Sequence, residues 1–259
     1  MENTALVTGA SGGIGREIAR VHAERGGDLI VVARSPEALR DLKQELEEAH
    51  GVTVVVFEKD LSLPDAPREI FETVEEKGIE VNILVNNAGF GDLAPYYRSN
   101  WEKQAAMIAV NVSALSGLTN LFLPGMVERG RGKILNVAST AAFYPGPFMS
   151  VYYASKNYVL PFSAALAEEL RGSGITVTTL CPGPTETGFQ ERAGNENTML
   201  MKRLALMSPR RVAEYGYRMM ERGKLVAVPG FINKVSAVIP RFLPRRAALR
   251  FVRKQHEEE

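Results

Sequence analysis

Short runs rich in β-branched residues recur along the chain: TALVTG, DLIVVAR, VTVVVFEKD, VNILVNNAG, GKILNVAS, ITVTTLCPG and KLVAVPG, with helix-like segments between them. None of the runs alternates strictly between apolar and polar, which is the pattern of strands covered on both faces. The intervening segments, such as SPEALRDLKQELEEAHG and PREIFETVEEKG, carry apolar residues at helical spacing, acids early and a glycine just past the end. Continuous β-α-β alternation predicts an α/β fold, a single Rossmann-like, doubly wound parallel sheet of about seven strands flanked by helices. In such a sheet ligands sit beyond the carboxyl ends of the strands, so the residues just after each strand become the candidates for function.

The 259 residues suffice for one sizeable core, and no linker or repeat divides them, so residues 1–259 read as a single domain. Lys and Arg total 31 against 30 Asp and Glu, a balance that gives no reason to expect a nucleic-acid partner. Cys181 is the sole cysteine, which excludes an internal disulfide and suits a reducing, cytoplasmic location; its expected role is a small buried residue at a strand end. His22, His50 and His256 fall in no ligand spacing, so no metal is expected. The N-terminus enters a strand pattern without an export signal, and no window of about 18 apolar residues is expected anywhere in the chain.

The first strand ends in TGASGGIGRE, where Gly9, Ser11, Gly12, Gly13, Ile14 and Gly15 open a helix. Glycine permits the tight turn and close backbone approach, and the helix N-terminus offers free N–H groups to a pyrophosphate. About 20 residues on, a site for NAD would carry a carboxylate for the ribose hydroxyl. Here the second strand ends in Arg34 and Ser35, a planar fork and a hydroxyl suited to a 2′-phosphate, so NADP (NADPH) is favoured and NAD is less expected, although Glu37 lies close. Asp60 and Leu61, after the third strand, stand where an adenine would lie. After the fourth strand come Asn86, Asn87, Ala88 and Gly89, whose amides serve a cofactor or tie strand ends together; the sequence leaves both open.

VYYASKNYV heads a long helical segment. Residues four apart share a helix face, so Tyr152 and Lys156 point together, Tyr153 turns away and Tyr158 packs. A phenol titrates near 10, and an ammonium about 5 Å away at an effective dielectric near 20 would favour the phenolate by roughly 3 kcal/mol, about two pKa units. That predicts Tyr152 as general acid and base. Ser139 follows the fifth strand, where its hydroxyl either holds a substrate carbonyl beside the phenol or caps the next turn.

TGASGGIG, NNAG, Ser139 with YYASK, and PGPTET, in this order, resemble the short-chain dehydrogenase/reductase family, ordinary-length branch, over residues 4 to 190. The resemblance implies that Tyr152 transfers the proton, Lys156 binds the nicotinamide ribose and tunes the tyrosine, and Ser139 steadies the carbonyl. It implies Asn111, in IAVNVSAL, as support for a water-linked proton relay, with a satisfied core amide as the alternative. Pro182, Gly183 and Thr187 in PGPTET would contact the nicotinamide amide, and Thr185 beside them would help hold the cofactor. Gly12 stands where many NADP-using relatives carry a basic residue, which leaves Arg34 as the main argument for the phosphate. ASTAAFYPGPFMSVYYASK and LCPGPT are similar to 3-oxoacyl-CoA reductases and 17β-hydroxysteroid dehydrogenases. Pairing through the helices of Asn111 and Lys156, as a homodimer or homotetramer, is likewise implied.

The expected activity is NADP(H)-dependent oxidoreduction between a ketone and a secondary alcohol; the alternative is a catalytically silent NADP-binding regulator or scaffold, against which the intact Ser, Tyr and Lys set argues. Phe90, Phe143, Phe148, Met149, Phe189, Met199 and Leu200 lie in loops around the expected mouth and suit an apolar small-molecule substrate, or simply pack. Residues 184–208 are expected to form a substrate loop or lid. Residues 239–259 form a basic, amphipathic tail expected as a solvated helix, or as one that touches an anionic membrane or a neighbouring subunit.

Overall fold

The computed structural model describes residues 3–195, 198 and 206–256, with Arg241 described by its backbone alone. All the strand-like runs form strands: β1 (Thr4–Thr8), β2 (Leu29–Ala33), β3 (Val54–Glu58), β4 (Val81–Asn86), β5 (Gly132–Val137), β6 (Ile175–Leu180) and β7 (Val226–Ala227). They make one seven-stranded sheet in the order β3-β2-β1-β4-β5-β6-β7, with every pairing parallel. β1 and β2 are buried along their whole length, as uniformly apolar strands between two layers must be. Strand order reverses between β1 and β4, and the crevice at their carboxyl ends is where such a sheet takes its ligands.

Helices α1 (Gly13–Ala23), α2 (Pro36–His50) and α8 (Pro209–Glu221) cover one face; α3 (Ala66–Glu76), α4 (Trp101–Ile108), α5 (Leu115–Arg129) and α6 (Ser150–Glu169) contribute to the other. α2 shows why its segment is helical: Pro36 opens it, Leu39, Leu42 and Leu46 fall at spacings of three and four, and Gly51 closes it at φ +66. Those leucines are buried, each worth roughly 1.5–3 kcal/mol against exposure, so Leu42→Asp should detach the helix from the sheet.

Between α4 and α5 the helix widens into a π-helical stretch, Ala109–Ala114, that carries Asn111. The whole run Trp101–Arg129 has a mean hydropathy of 1.6 in one window, long and apolar enough to span a membrane by length and composition. That departs from the sequence expectation, and the fold supplies the reason: Leu115, Leu118, Phe122 and Met126 are buried against the sheet.

Beyond β6, Thr185 bridges to Met207, which closes the base of the 184–208 segment around the short helix α7 (Phe189–Ala193). α9 (Phe231–Val238) and α10 (Arg245–His256) follow β7. The tail is not a solvated helix: Ala248, Val252 and His256 of α10 are buried against the body of the chain, while the face bearing Phe251 and Arg250 stays exposed.

Candidate active site

The glycine turn after β1 is built as its sequence requires. Gly9 lies at φ +68 and Gly13 at φ +56, conformations that other L-residues adopt only with strain. A Cβ on Gly15 would sit 2.5 Å from the Gly9 carbonyl oxygen, whereas one on Gly12 would meet nothing within 4 Å. Gly12 is the N-cap of α1, and having no side chain it leaves the first N–H groups of that helix without a side-chain cap. The first turn also lacks an acid that would repel a phosphate.

After β4 the two asparagines divide. Asn86 is structural: its Nδ2 donates to Asn136 Oδ1 at 2.9 Å and Thr119 Oγ1 at 3.1 Å in the core. Asn87 Nδ2 donates to the Thr8 carbonyl at 2.9 Å, and Thr8 Oγ1 accepts from the N–H groups of Asn87 and Ala88 at 3.0 Å. These bonds pin the β4 end to the glycine turn.

Tyr152 and Lys156 do share a face of α6, and both are buried. The Lys156 ammonium donates to the Val137 carbonyl at 2.8 Å, and the Ser139 hydroxyl lines the same cavity as the Tyr152 phenol. Ser139 also caps the following 3₁₀ turn, accepting from the Ala141 N–H at 3.1 Å, so it combines both roles the sequence left open. Asn111 does not face the cavity directly. Its Oδ1 accepts from the Phe90 N–H, and its Nδ2 donates to the Phe90 carbonyl and to Ser155 Oγ, so it is a satisfied buried amide beside the site. Gly89 leaves room for it: a Cβ there would stand 2.9 Å from Asn111 Oδ1 and 3.1 Å from Lys156 Nζ.

The electrostatics differ from expectation. Burial pushes the Tyr152 phenol up to about 12, with the Ser139 hydroxyl pulling the other way, and burial pulls Lys156 down to about 8. The expectation of a lowered phenol rests on an ammonium about 5 Å away at an effective dielectric near 20, with no cost for taking the phenol out of water. In the fold, burial dominates the phenol and raises it, and the ammonium is held by the Val137 carbonyl.

A cavity of about 780 Å³ opens over these groups, lined by Gly12, Gly13, Ile14, Asn87, Gly89 and, opposite, Ser139, Tyr152 and Lys156. Pro182, Gly183, Thr185 and Thr187 close one wall, with the Thr187 methyl against Gly13. Gly183 is needed for packing as well, since a Cβ would strike the Asn233 amide of α9. Met149 and Phe189 of the expected apolar set line the cavity. Phe90 and Phe143 pack into side clusters, Phe148 lies beneath the Arg253 guanidinium, and Met199 and Leu200 fall outside the described residues.

Arg34, Ser35, Asp60 and Leu61 do not join that cavity; they sit together at the neighbouring ends of β2 and β3. Arg34 is 69 % exposed and 4.0 Å from Asp60 Oδ2, while Asp60 Oδ1 accepts from the Ser62 N–H and hydroxyl. The Leu61 side chain is buried in the core. Ser35 caps no N–H of α2.

Two features escaped sequence reading. Tyr153 does not turn away from the site: it lines the same cavity, its ring edge-on to Tyr152 at 6.0 Å. The remaining wall comes from the end of the chain, Phe231, Ile232 and Val235 of α9 and Phe251, Val252 and His256 of α10. His22 and Cys181, by contrast, are core residues, and Cys181 lies buried just past the end of β6, in line with the expectation.

The short chain dehydrogenase family model matches residues 3–198. A very-long-chain 3-oxoacyl-CoA reductase of Anas platyrhynchos is 36 % identical over 184 residues, which is 69 % of this chain and 58 % of that reductase. An NADP-dependent 3-hydroxy acid dehydrogenase of Salmonella typhi is 38 % identical over 179 residues, 69 % of this chain and 71 % of that one. Among solved structures, a short-chain dehydrogenase from Sphingobium yanoikuyae in complex with NADPH superposes with a TM-score of 0.81 at 31 % identity, covering 92 % of this chain and 93 % of that one. The chain thus spans under two thirds of the length of the 3-oxoacyl-CoA reductase it matches.

Proposed function

Since the chain belongs to the short chain dehydrogenase family, we propose that it is an NADP(H)-dependent oxidoreductase interconverting a lipophilic ketone and its secondary alcohol. The observation that carries this reading is the convergence of Ser139, Tyr152 and Lys156 on one cavity that also reaches the glycine turn. The residues present fit a dinucleotide: the uncapped start of α1 and the open space at Gly12 suit a pyrophosphate, and Arg34 with Ser35 suits a 2′-phosphate. When bound, NADPH supplies the hydride that a carbonyl carbon accepts.

The chain's own residues handle the proton. A phenol held near 12 is fully protonated at neutral pH, so Tyr152 stands ready to donate to the oxygen of the reduced carbonyl. The Ser139 hydroxyl, on the same cavity wall, can donate to the same oxygen and fix its position. Lys156, charged below about pH 8, stabilises the phenolate left behind, and Asn111 holds the Phe90 backbone and Ser155 beneath it. Met149, Phe189, Phe231 and Val252 make the rest of the wall apolar, which favours a lipophilic substrate such as a 3-oxoacyl thioester or a steroid-like ketone.

NADPH consumption over ketones, 3-oxoacyl thioesters and steroids tests this reading. Turnover of at least one lipophilic ketone, lost in Tyr152→Phe with NADPH binding kept, is expected. Undiminished turnover in Tyr152→Phe would refute the assigned acid.

A further inference from the structure

The rim of the cavity is an apolar and basic surface. Phe231, Ile232 and Phe242 are 80 %, 72 % and 82 % exposed, and Val238, Ile239 and Phe251 are exposed beside them. Side chains of that size are not left in water as a cluster without a partner. Between Glu221 and Glu257 the sequence has no Asp or Glu, while Arg245, Arg246, Arg250, Arg253 and Lys254 all lie exposed on α10.

The placement of those cations is the second observation. α10 begins with Arg245 and Arg246 and has no acid in its first turn, although a helix N-terminus is the positive end of its dipole and favours acids. Two guanidiniums there cost stability in the isolated chain, and an anionic surface against that end would offset the cost. The Arg253 guanidinium stands 5.7 Å from the Phe148 ring centroid, and its neighbours Phe251 and Val252 line the cavity.

We propose that α9 and α10 form a docking face for an anionic phospholipid bilayer, with Phe231, Ile232 and Phe242 in the acyl boundary and the α10 arginines among the headgroups. Apolar side chains and cations interleaved on one face are the composition that binds such an interface, by buried area together with attraction to acidic lipid. Phe231, Ile232 and Phe251 belong both to this face and to the cavity wall, so the docked protein opens its cavity toward the bilayer. A lipophilic molecule can then pass from membrane to cavity without crossing water. This last consequence rests on the substrate class proposed above; the docking itself does not.

The test is flotation of the full chain with vesicles of phosphatidylcholine alone or with about one third phosphatidylserine. Recovery with the phosphatidylserine vesicles is expected, reduced by about 0.5 M salt. Arg245→Glu with Arg246→Glu and Arg250→Glu should lower partitioning on the order of a hundredfold; the first two acids suit the first turn of the helix and all three positions are exposed, so the fold is kept. Phe242→Ser, at a residue outside the cavity wall, should also release the protein from vesicles while NADPH turnover of a soluble ketone is unchanged. Equal recovery in the supernatant with both vesicle types overturns the proposal. So does a dimer in light scattering that Phe242→Ser dissociates while neither form floats, because the face would then be covered by a second copy. Flotation is read without turnover, so failure of the oxidoreductase reading and failure of docking are distinguishable.

Discussion

Tyr153 and His256 lie 103 residues apart in the chain and are joined by a 2.8 Å hydrogen bond between the phenol oxygen and Nε2. The two rings also meet edge-on, at 5.5 Å between centroids. This contact fastens the last turn of α10 to the residue next to Tyr152, so the end of the chain becomes a wall of the cavity. His256 Nδ1 is buried and has no hydrogen-bond partner among the described residues, and burial holds the imidazole down at about 4.

The sign of the pH effect follows. An unfolded or released histidine titrates near 6.5, so the docked, neutral form is favoured above that value, and its stability is lost as pH falls from about 6.5 toward 4. Hydrogen exchange should show α10 protected at neutral pH and exchanging much faster near pH 5, with the body of the sheet still protected. His256→Gln keeps a hydrogen-bonding partner for Tyr153 and removes the titration, so its α10 should stay protected at the lower pH. An α10 whose protection is independent of pH in the unsubstituted protein would disprove the titration role of His256.

Lys156 is a cation in a dry place. Its Nζ has the Val137 carbonyl as its hydrogen-bond partner, and burial lowers it to about 8. Because the folded value lies below the ordinary 10.5, the native state pays for the charge at neutral pH, and stability rises as pH climbs from about 8 toward 10.5. Lys156→Met should therefore raise the stability of the cofactor-free protein by about 1–3 kcal/mol at pH 7 while abolishing turnover. Thermal melts at pH 7 and near pH 10 check this: the gain should shrink at the higher pH, and a lower Tm at pH 7 would contradict it.

Arg34 is exposed and its nearest carboxylate, Asp60, is 4.0 Å away, a weak surface pair that leaves the guanidinium available to a phosphate. Arg34→Asp should reverse the NADPH to NADH ratio of kcat/KM, mostly through KM, since the position is remote from Tyr152. A charge-assisted bidentate contact is worth about 1.5–3 kcal/mol, so a shift of roughly ten- to a hundredfold is expected. An unchanged ratio would remove the argument for NADP from this residue.

The sheet was legible in the sequence because each strand is short, apolar and bounded by a turn; the runs from TALVTG to KLVAVPG all became strands. The positions of Ser139, Tyr152 and Lys156 followed, since strand ends and helix faces are local facts. What escaped was non-local. Tyr153 was assigned by helix period alone, yet its environment is made by His256, and nothing in HEEE at the end of the chain announces that bond. The pKa of Tyr152 was misjudged for the same reason: spacing places a lysine on the same face, whereas burial, set by the whole fold, decides the shift. Asn111 likewise needed the π-helical widening to show that its amide clasps Phe90.

Gly12 and Gly15 sit three residues apart in one turn and should respond to a methyl group in opposite ways. A Cβ on Gly15 would press on the Gly9 carbonyl at 2.5 Å and on the Asn87 amide, which already ties β4 to that turn. Backbone cannot yield cheaply there, so Gly15→Ala should lose about 1–3 kcal/mol in denaturant unfolding even without cofactor. A Cβ on Gly12 has open space and an extended backbone at φ −175, so Gly12→Ala should melt within about 0.5 kcal/mol of the parent. Its methyl instead projects where a pyrophosphate would lie, at the uncapped start of α1, so NADPH affinity should fall several-fold. Unfolding curves and NADPH fluorescence titration separate the two effects. A Gly12→Ala protein that binds NADPH as tightly as the parent would move the phosphates away from this turn.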